Sequence, residues 1–365
     1  FFKDDDLKFQ SVGSGTYAFQ YITNRKFRDT SGWYHIVCSV DTTQTTPADR
    51  IKIYVNGVQE TSFSTATNPS SDVNLWWNTN TEFQIGSNQN PNDWFNGVMS
   101  HINNIDGTAY DATAFGETDA TTGEWKIKTD VSVTYGTNGF FILKDGNTIT
   151  DQSSNSNNFS LGGGTLTKTE DNPSNVFAIL NSLPKSGVSF SYGNLQADNQ
   201  SSDWTSALAT FGSSTGKWYA EFKVTDDASG TTRNMFGVCD ARDVQTMSED
   251  ELGQNTSGRV GDTVGYSGNG SGNCLKNGSD QGSGFNTTYT IGDIISVALD
   301  CDNGAVYIAK NGTYLNSGSP TSGASKTGAV TITTGETYLI GGTVYNSTYQ
   351  ANFGNGYFGT TAVSS

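Results

Sequence analysis

The sequence predicts an all-β protein made of two antiparallel sandwiches in tandem. Three observations carry this. Alternation of apolar and polar residues with period two recurs along the whole chain, while the i, i+3, i+4, i+7 spacing of a helix never extends beyond about two turns. Gly, Asn, Asp and Ser punctuate these runs at short intervals, as antiparallel sandwiches and barrels require. The length of 365 residues corresponds to about two domains at roughly 150 residues each, and either half is long enough to bury a core.

The elements follow in order. The opening "FFKDDDLKFQ" begins without Met and apparently inside a strand, so the chain reads as a fragment or a processed product. "WYHIVCSV" (33–40), "RIKIYV" (50–55), "EFQIG" (82–86) and "VMSHINNI" (98–105) form a first set of strands. "KWYAEFKV" (217–224), "MFGVC" (235–239), "IISVALD" (294–300), "AVYIAK" (305–310) and "YQANFG" (349–354) form a second. Asn56-Gly57 and Asn311-Gly312 each end such a run. A two-residue type I′ turn needs positive φ at both central positions, which Asn tolerates and Gly adopts freely, so both predict hairpins. By composition alone the Asn/Ser/Gly-rich stretch from about 145 to 200 is a linker, with "PSNVFAILNSLPKSG" (173–187) as an ordered connector.

Composition excludes several classes of function. The net charge is −16, with no basic stripe, so a nucleic-acid partner is not expected. Attraction to anionic lipid is equally disfavoured. No run of about 18 apolar residues occurs, so no membrane insertion by a helix is expected. Aromatic residues at 12% argue against disorder, and the polar residues are turns and outward strand faces. The four cysteines, Cys38, Cys239, Cys274 and Cys301, show no zinc spacing. Three sit in strand-like runs and read as buried thiols. Cys239 with Cys301 is the pairing to examine if a disulfide exists.

The second half resembles the SPRY family. "GKWYAEFKV", "FGVCD", "GDTVGYSGNG", "YTIGDIISVALDCDNGAVYIAKNG" and "YQANFG" occur in the family's order over roughly 185–358. The resemblance implies a bent antiparallel sandwich that binds proteins or peptides through its loops, without catalytic residues. It also implies that Trp218, Tyr219, Phe222, Val297, Leu299 and Tyr307 are core or near-core. The first half resembles laminin-G and concanavalin-like jelly rolls through "WYHIVCSVD", "DRIKIYVNGVQ", "FQIGS" and "WFNGVMSHINNIDG". That family's usual opening strand is missing ahead of residue 1. "GFFILKDGNTITDQSSNSNNFSLGGG" (139–164) is similar to such an opening, so 139–165 is expected to close the first sandwich. The implied organisation is a concanavalin-like sandwich at 1–165, a connector at 166–185 and a SPRY-like sandwich at 186–365. In that order the modules resemble a class of tail-fibre and virion-surface proteins of marine bacteriophages. This implies a place on the virion surface, outside the cell, and adhesion to a host.

Glycan binding uses exposed aromatic faces flanked by amide and carboxylate groups. "NLWWNTN" (74–80) and "NQNPNDWFNG" (88–97) offer both, so Trp76, Trp77, Asn78, Asn92, Asp93 and Trp94 are the candidate ligand-binding residues. "SDWTS" with Trp204 is a weaker candidate. No alternating pair of carboxylates on a strand suggests glycoside hydrolysis. "SEDEL" (248–252) reads as a solvated loop, and His35 and His101 read as structural, so no catalytic residue is expected. No cofactor or metal is expected either. Calcium is conceivable for a laminin-G-like domain at Asp106, Asp111, Asp145 or Asp151, but no calcium-loop spacing is present.

The expectation is therefore a non-catalytic adhesion protein. Its partners would be a host-surface glycan or protein and other virion proteins, with a homo-oligomer, a trimer above all, providing avidity. The rival readings are a structural decoration of the virion, and a secreted bacterial adhesin or carbohydrate-binding module. A glycan depolymerase is a further rival.

Overall fold

The computed structural model describes residues 2–13, 16–75, 77–79, 82–87, 94–144, 148–182, 187–228, 230, 233–245 and 251–363. Among these the fold is all-β. Every sheet is antiparallel, and the helical segments are 3₁₀ turns of three residues. The chain divides into two compact units, Phe1–Lys168 with Asn172–Val176, and Thr169–Asp171 with Phe177–Ser365. The residues read as a connector are thus shared between the units.

In the first unit a four-stranded sheet runs in the order Phe2–Lys3, Asp6–Gly13, Thr16–Lys26, Phe63–Thr67. The acidic run between its first two strands supplies the turn, with Asp4 and Asp5 both at positive φ. A three-stranded sheet, Ile36–Val40, Ile51–Val55 and Val58–Gln59, faces it. The alternation in "IKIYV" does what period two predicts: Ile51, Ile53 and Val55 are buried while Lys52 and Tyr54 are not. Ile51 and Ile53 meet Leu7, Phe9, Phe19 and Tyr21 of the larger sheet to form the core. Two further strand pairs complete the unit, Ile102–Asn104 with Phe140–Ile142 and Gly116–Thr118 with Trp125–Ile127. Of the strand expected at 98–105 only Ile102–Asn104 forms. Residues 82–86 form no strand, although Gly86 accepts the Phe95 N–H at 2.8 Å.

The second unit packs an eight-stranded sheet on a six-stranded one. The larger sheet centres on Ser347–Asn352, Lys217–Asp227, Ile294–Asp300 and Ala305–Lys310. The smaller runs Thr205–Ser213, Tyr338–Val344, Met235–Asp240, Thr263–Ser267, Asn273–Lys276, Ser279–Asp280. Phe222 and Val224 from one and Phe236, Val238 and Tyr266 from the other share a single apolar core. Ile295–Asp300 is buried on both faces, because Ala298 and Tyr307 on the outer face are packed under Tyr314 and Ala329.

Two expectations need correction. Phe222, Val297, Leu299 and Tyr307 are buried, but Trp218 is 41% and Tyr219 50% exposed. The pairing of Lys217–Asp227 with Ser347–Asn352 begins only at Glu221, so residues 217–220 extend beyond that neighbour. The cysteines are all free thiols, as expected, but Cys38 is exposed rather than buried. Cys239 packs with Leu208, Met235 and Leu252 on one side of the six-stranded sheet, whereas Cys301 belongs to the main core, so that pair is kept apart. Burial pushes the Cys301 thiol up to about 11.

The two Asn-Gly hairpins form, and a third at Asn277-Gly278 matches them. Asn56, Asn277 and Asn311 have φ of 48° in each case, and Gly57, Gly278 and Gly312 have φ of 79°, 78° and 79°. Each Asn also closes the ladder of the neighbouring strand. Its N–H donates to the carbonyl of His35, Thr263 or Ile294, at 2.9, 3.1 and 2.8 Å. Its side-chain Oδ1 accepts the N–H of that same residue at 2.8 Å in all three. Asn is therefore selected twice, for the left-handed conformation and for an acceptor that ends a strand pair.

Candidate functional site

The first unit exposes aromatic rings that are braced from behind. Trp77 is 38% exposed, and its ring lies 5.7 Å from that of core Phe9 and 5.6 Å from Phe83. Phe83 in turn meets Phe140 at 5.5 Å, and Phe140 meets Phe159 at 4.8 Å. Offset and edge-to-face pairs of this kind hold a ring in place and stabilise by about 0.5–1.5 kcal/mol each. Trp94 is 67% exposed, with its backbone bridged to Ser87. Each ring offers a flat apolar face to solvent on an otherwise polar surface.

The other candidates divide. Trp76, Asn92 and Asp93 lie outside the described residues. Asn78 is half-buried at positive φ, and its amide serves the fold. Its Oδ1 accepts from Asn104 Nδ2 at 2.7 Å, and its Nδ2 donates to the Ile105 carbonyl at 2.9 Å. Asn138 Nδ2 donates to the Asn78 carbonyl at 2.9 Å and to Asp106 Oδ2 at 3.0 Å. Asn78 thus ties its loop to the strand pair 102–104/140–142 and positions Trp77 beside it.

The carboxylates considered for calcium are used in the same internal way. Asp106 Oδ2 also accepts the Asn138 N–H at 3.1 Å. Asp111 caps the turn at Ala112–Ala114 by accepting the Thr113 N–H at 2.8 Å. Asp151 accepts from the N–H groups of Phe141, Ser153 and Asn157 and from the Ser153 hydroxyl, at 2.8, 2.9, 2.8 and 2.8 Å. Those donors offset the burial that pushes Asp151 up, and hold it below the ordinary carboxylate range. Oxygens that face N–H donors do not fit a cation that needs six to eight oxygen ligands. Asp145 lies outside the described residues, and among the described residues no three His, Cys, Asp or Glu side chains gather as a metal cluster would require.

The second unit carries a groove of about 290 Å³ lined by Trp204, Met235, Glu251, Gln254, Asn269, Asn273 and Leu275, among others. Its apolar floor belongs to the cluster on the outer side of the six-stranded sheet, where Leu208, Cys239 and Leu252 are buried. The rim is anchored on the sheet: the Leu252 N–H donates to Thr343 Oγ1 and the Gly253 N–H to Thr263 Oγ1, both at 3.0 Å. Trp204 packs at 4.6 Å on Tyr345 with the rings tilted by 41°, and the Arg233 guanidinium lies 4.8 Å from the Tyr345 ring centre. Of the stretch read as a solvated loop, Glu251 lines this groove and Leu252 is fully buried. Local sequence pattern points only weakly to Trp204 and to none of the other lining residues. The groove is assembled from five separate segments, and no local pattern announces such an assembly.

Chemically both surfaces can stack and hydrogen-bond. Among the described residues that line the groove, Glu251 is the single carboxylate. His101 Nδ1 meets the hydroxyl of its neighbour Ser100 at 2.6 Å, and His35 is held by Trp125.

Residues 1–108 match a family model, the concanavalin A-like lectin/glucanases superfamily. Among solved structures the chain is similar to the SPRY domain of human HERC1, at 15% identity over 48% of this chain and 98% of that one, with a TM-score of 0.36. It is also similar to the TRIM65 PSpry domain, at 12% identity over 48% and 92%, with a TM-score of 0.34. No curated protein matches the chain by sequence.

Proposed function

We propose that this chain is a non-catalytic adhesion protein of a virion surface, part of a phage tail fibre or a related appendage, that binds a host-surface glycan or protein. The observation that carries the adhesive role is the exposure of two indoles in the first unit, Trp77, which is braced by Phe9 and Phe83, and Trp94. Rings held by neighbours lose little entropy on stacking against a sugar face. The lectin-type family match over residues 1–108 supports the same reading. The virion location rests on the resemblance of the module order. Single sites of this kind are weak, so the chain is expected to act as an oligomer, a trimer above all, that multiplies them. The groove beside Trp204 suits an extended peptide or a glycan branch and would serve as a second contact.

A glycan array probed with the purified chain tests this. Binding should fall by about thirtyfold, or about 2 kcal/mol, on Trp77→Ala or Trp94→Ala if either is a hot spot. Binding that survives both changes would move the site elsewhere. Release of reducing ends from host polysaccharide would make the protein an enzyme and end the purely adhesive reading.

A further inference from the structure

We infer that His35 and Trp125 form an acid-sensitive latch that holds the Gly116–Thr118/Trp125–Ile127 hairpin against the Asn56-Gly57 hairpin of the first unit. Three contacts meet at this point. Trp125 Nε1–H donates to His35 Nδ1 at 2.9 Å, with the two rings inclined by only 19°. The same indole covers Gly57 and Gly116 so closely that a Cβ on either would lie 2.2 or 2.4 Å from it. The His35 backbone, in turn, accepts from and donates to Asn56. One residue therefore clamps one hairpin with its main chain and the other with its ring.

The chemistry of the ring makes this clamp conditional. Nδ1 accepts a hydrogen bond only while it carries no proton, so the neutral ring has its proton on Nε2. On protonation Nδ1 becomes a donor and faces the indole N–H, another donor, and the bond is lost. Desolvation is what holds His35 below the ordinary histidine range. The ionisable groups on the two hairpins are Glu117, Asp119, Glu124 and Lys126 on one and Lys52, Tyr54 and Glu60 on the other. Lys126 is paired with Asp119, Lys52 with Asp49 and Glu60 with Arg25. A histidine that resists its proton in the folded state stabilises above its unfolded value of about 6.5, and that stability is lost as the pH falls below it. Acidification then weakens the hold on the 116–127 hairpin and on the Asn56-Gly57 turn beneath the indole.

Amide hydrogen exchange of the full chain at pH 7 and pH 5, corrected for intrinsic rates, tests the latch. Protection of residues 116–127 should drop by about tenfold at pH 5, the scale of one lost hydrogen bond, while the strand 294–300 keeps its protection. In His35→Asn, whose Oδ1 occupies the place of Nδ1 and accepts from the indole but does not titrate, the drop should vanish. In Trp125→Phe, which keeps a ring over Gly57 but has no N–H, protection should be lower at pH 7 and nearly flat with pH. Equal protection at both pH values in the unaltered chain, or a drop that persists in both variants, overturns the proposal.

Discussion

The two units solve the same problem with unequal means. Each is an antiparallel sandwich with an Asn-Gly hairpin at the end of a central strand. In the second unit, 27 described residues form one continuous core around Phe222, Phe236, Tyr266 and Tyr349. In the first, six form the main cluster, and the rest of the fold is tied by Asn-rich networks such as those of Asn78 and Asp151. The larger core leaves the turn at Gly312 uncovered, with nothing within 4 Å of where a Cβ would stand. The smaller one adds a lid, the indole of Trp125 over Gly57. Where apolar area is scarce, single directional contacts carry a larger share of the stability.

That comparison makes its largest claim about the cores. Phe222 and Phe19 are both fully buried. Phe222 contacts Phe236, Tyr349 and Phe353 at 4.9, 5.7 and 6.0 Å, in walls made by two broad sheets that cannot collapse. Phe19 contacts Phe9 at 5.0 Å in a small cluster that can close around a void. Phe→Ala changes cost about 3–5 kcal/mol, more where the cavity persists. Phe222→Ala should fall at the upper end and Phe19→Ala at the lower, read as urea midpoints from amide exchange of strands in each unit. The reverse order would break the argument that the second core is the more rigid.

How much of this was legible in the sequence follows from the range of the interactions. Hairpins at Asn56 and Asn311 are local chemistry and could be read directly. Asn277-Gly278 is the same device, but the strand that leads into it, Asn273–Lys276, is only four residues long, too short for alternation to mark it. Ile294–Asp300 and Ala305–Lys310 appear where alternation and β-branching placed them. The pairing of Ile102–Asn104 with Phe140–Ile142 is non-local, which is why 98–105 read as a longer strand than it is. At the candidate sites, the exposure of Trp77 and Trp94 could be guessed from their polar surroundings. The internal use of Asn78 could not, because its partners are 26 to 60 residues away. The same limit hid the groove at Trp204, whose lining comes from residues 204 to 275.

The next effect isolates the lid. Gly57 and Gly312 have the same φ of 79°. A Cβ at Gly312 would meet nothing within 4 Å, whereas at Gly57 it would lie 2.2 Å from Trp125. Gly312→Ala therefore pays only the left-handed strain, about 1–2 kcal/mol. Gly57→Ala adds displacement of an indole, a further 1–3 kcal/mol or so. Thermal melts of both variants give the comparison, and a double-mutant cycle sharpens it. In a Trp125→Ala background the cost of Gly57→Ala should shrink to that of Gly312→Ala. If it stays larger, something other than the indole distinguishes the two turns.

The smallest effect asks how the same turn is held in each unit. Asn56 and Asn311 both offer Oδ1 to a strand N–H at 2.8 Å, but Asn311 also donates from Nδ2 to Asp293 Oδ1 at 2.7 Å. Burial pushes the Asp293 carboxyl up, yet Asn311, the Thr290 N–H and Lys310 more than offset this and hold it below the ordinary range. Asn→Asp keeps the acceptor at both positions. At Asn56 little else changes, so Asn56→Asp should cost a few tenths of a kcal/mol, the usual scale for surface substitutions. At Asn311 the donor is lost and a second carboxylate faces Asp293, so Asn311→Asp should cost about 1–2 kcal/mol at pH 7. The depressed carboxyl of Asp293 contributes stability that is present above its unfolded value of about 3.9 and lost as the pH falls through its lower folded value. In Asn311→Asp the pair repels only while both acids are charged. The excess cost over Asn56→Asp should therefore shrink between pH 7 and pH 4 in parallel urea titrations. An excess that is constant with pH would mean that Asn311 acts through turn geometry alone, as Asn56 does, and that the two hairpins are held alike.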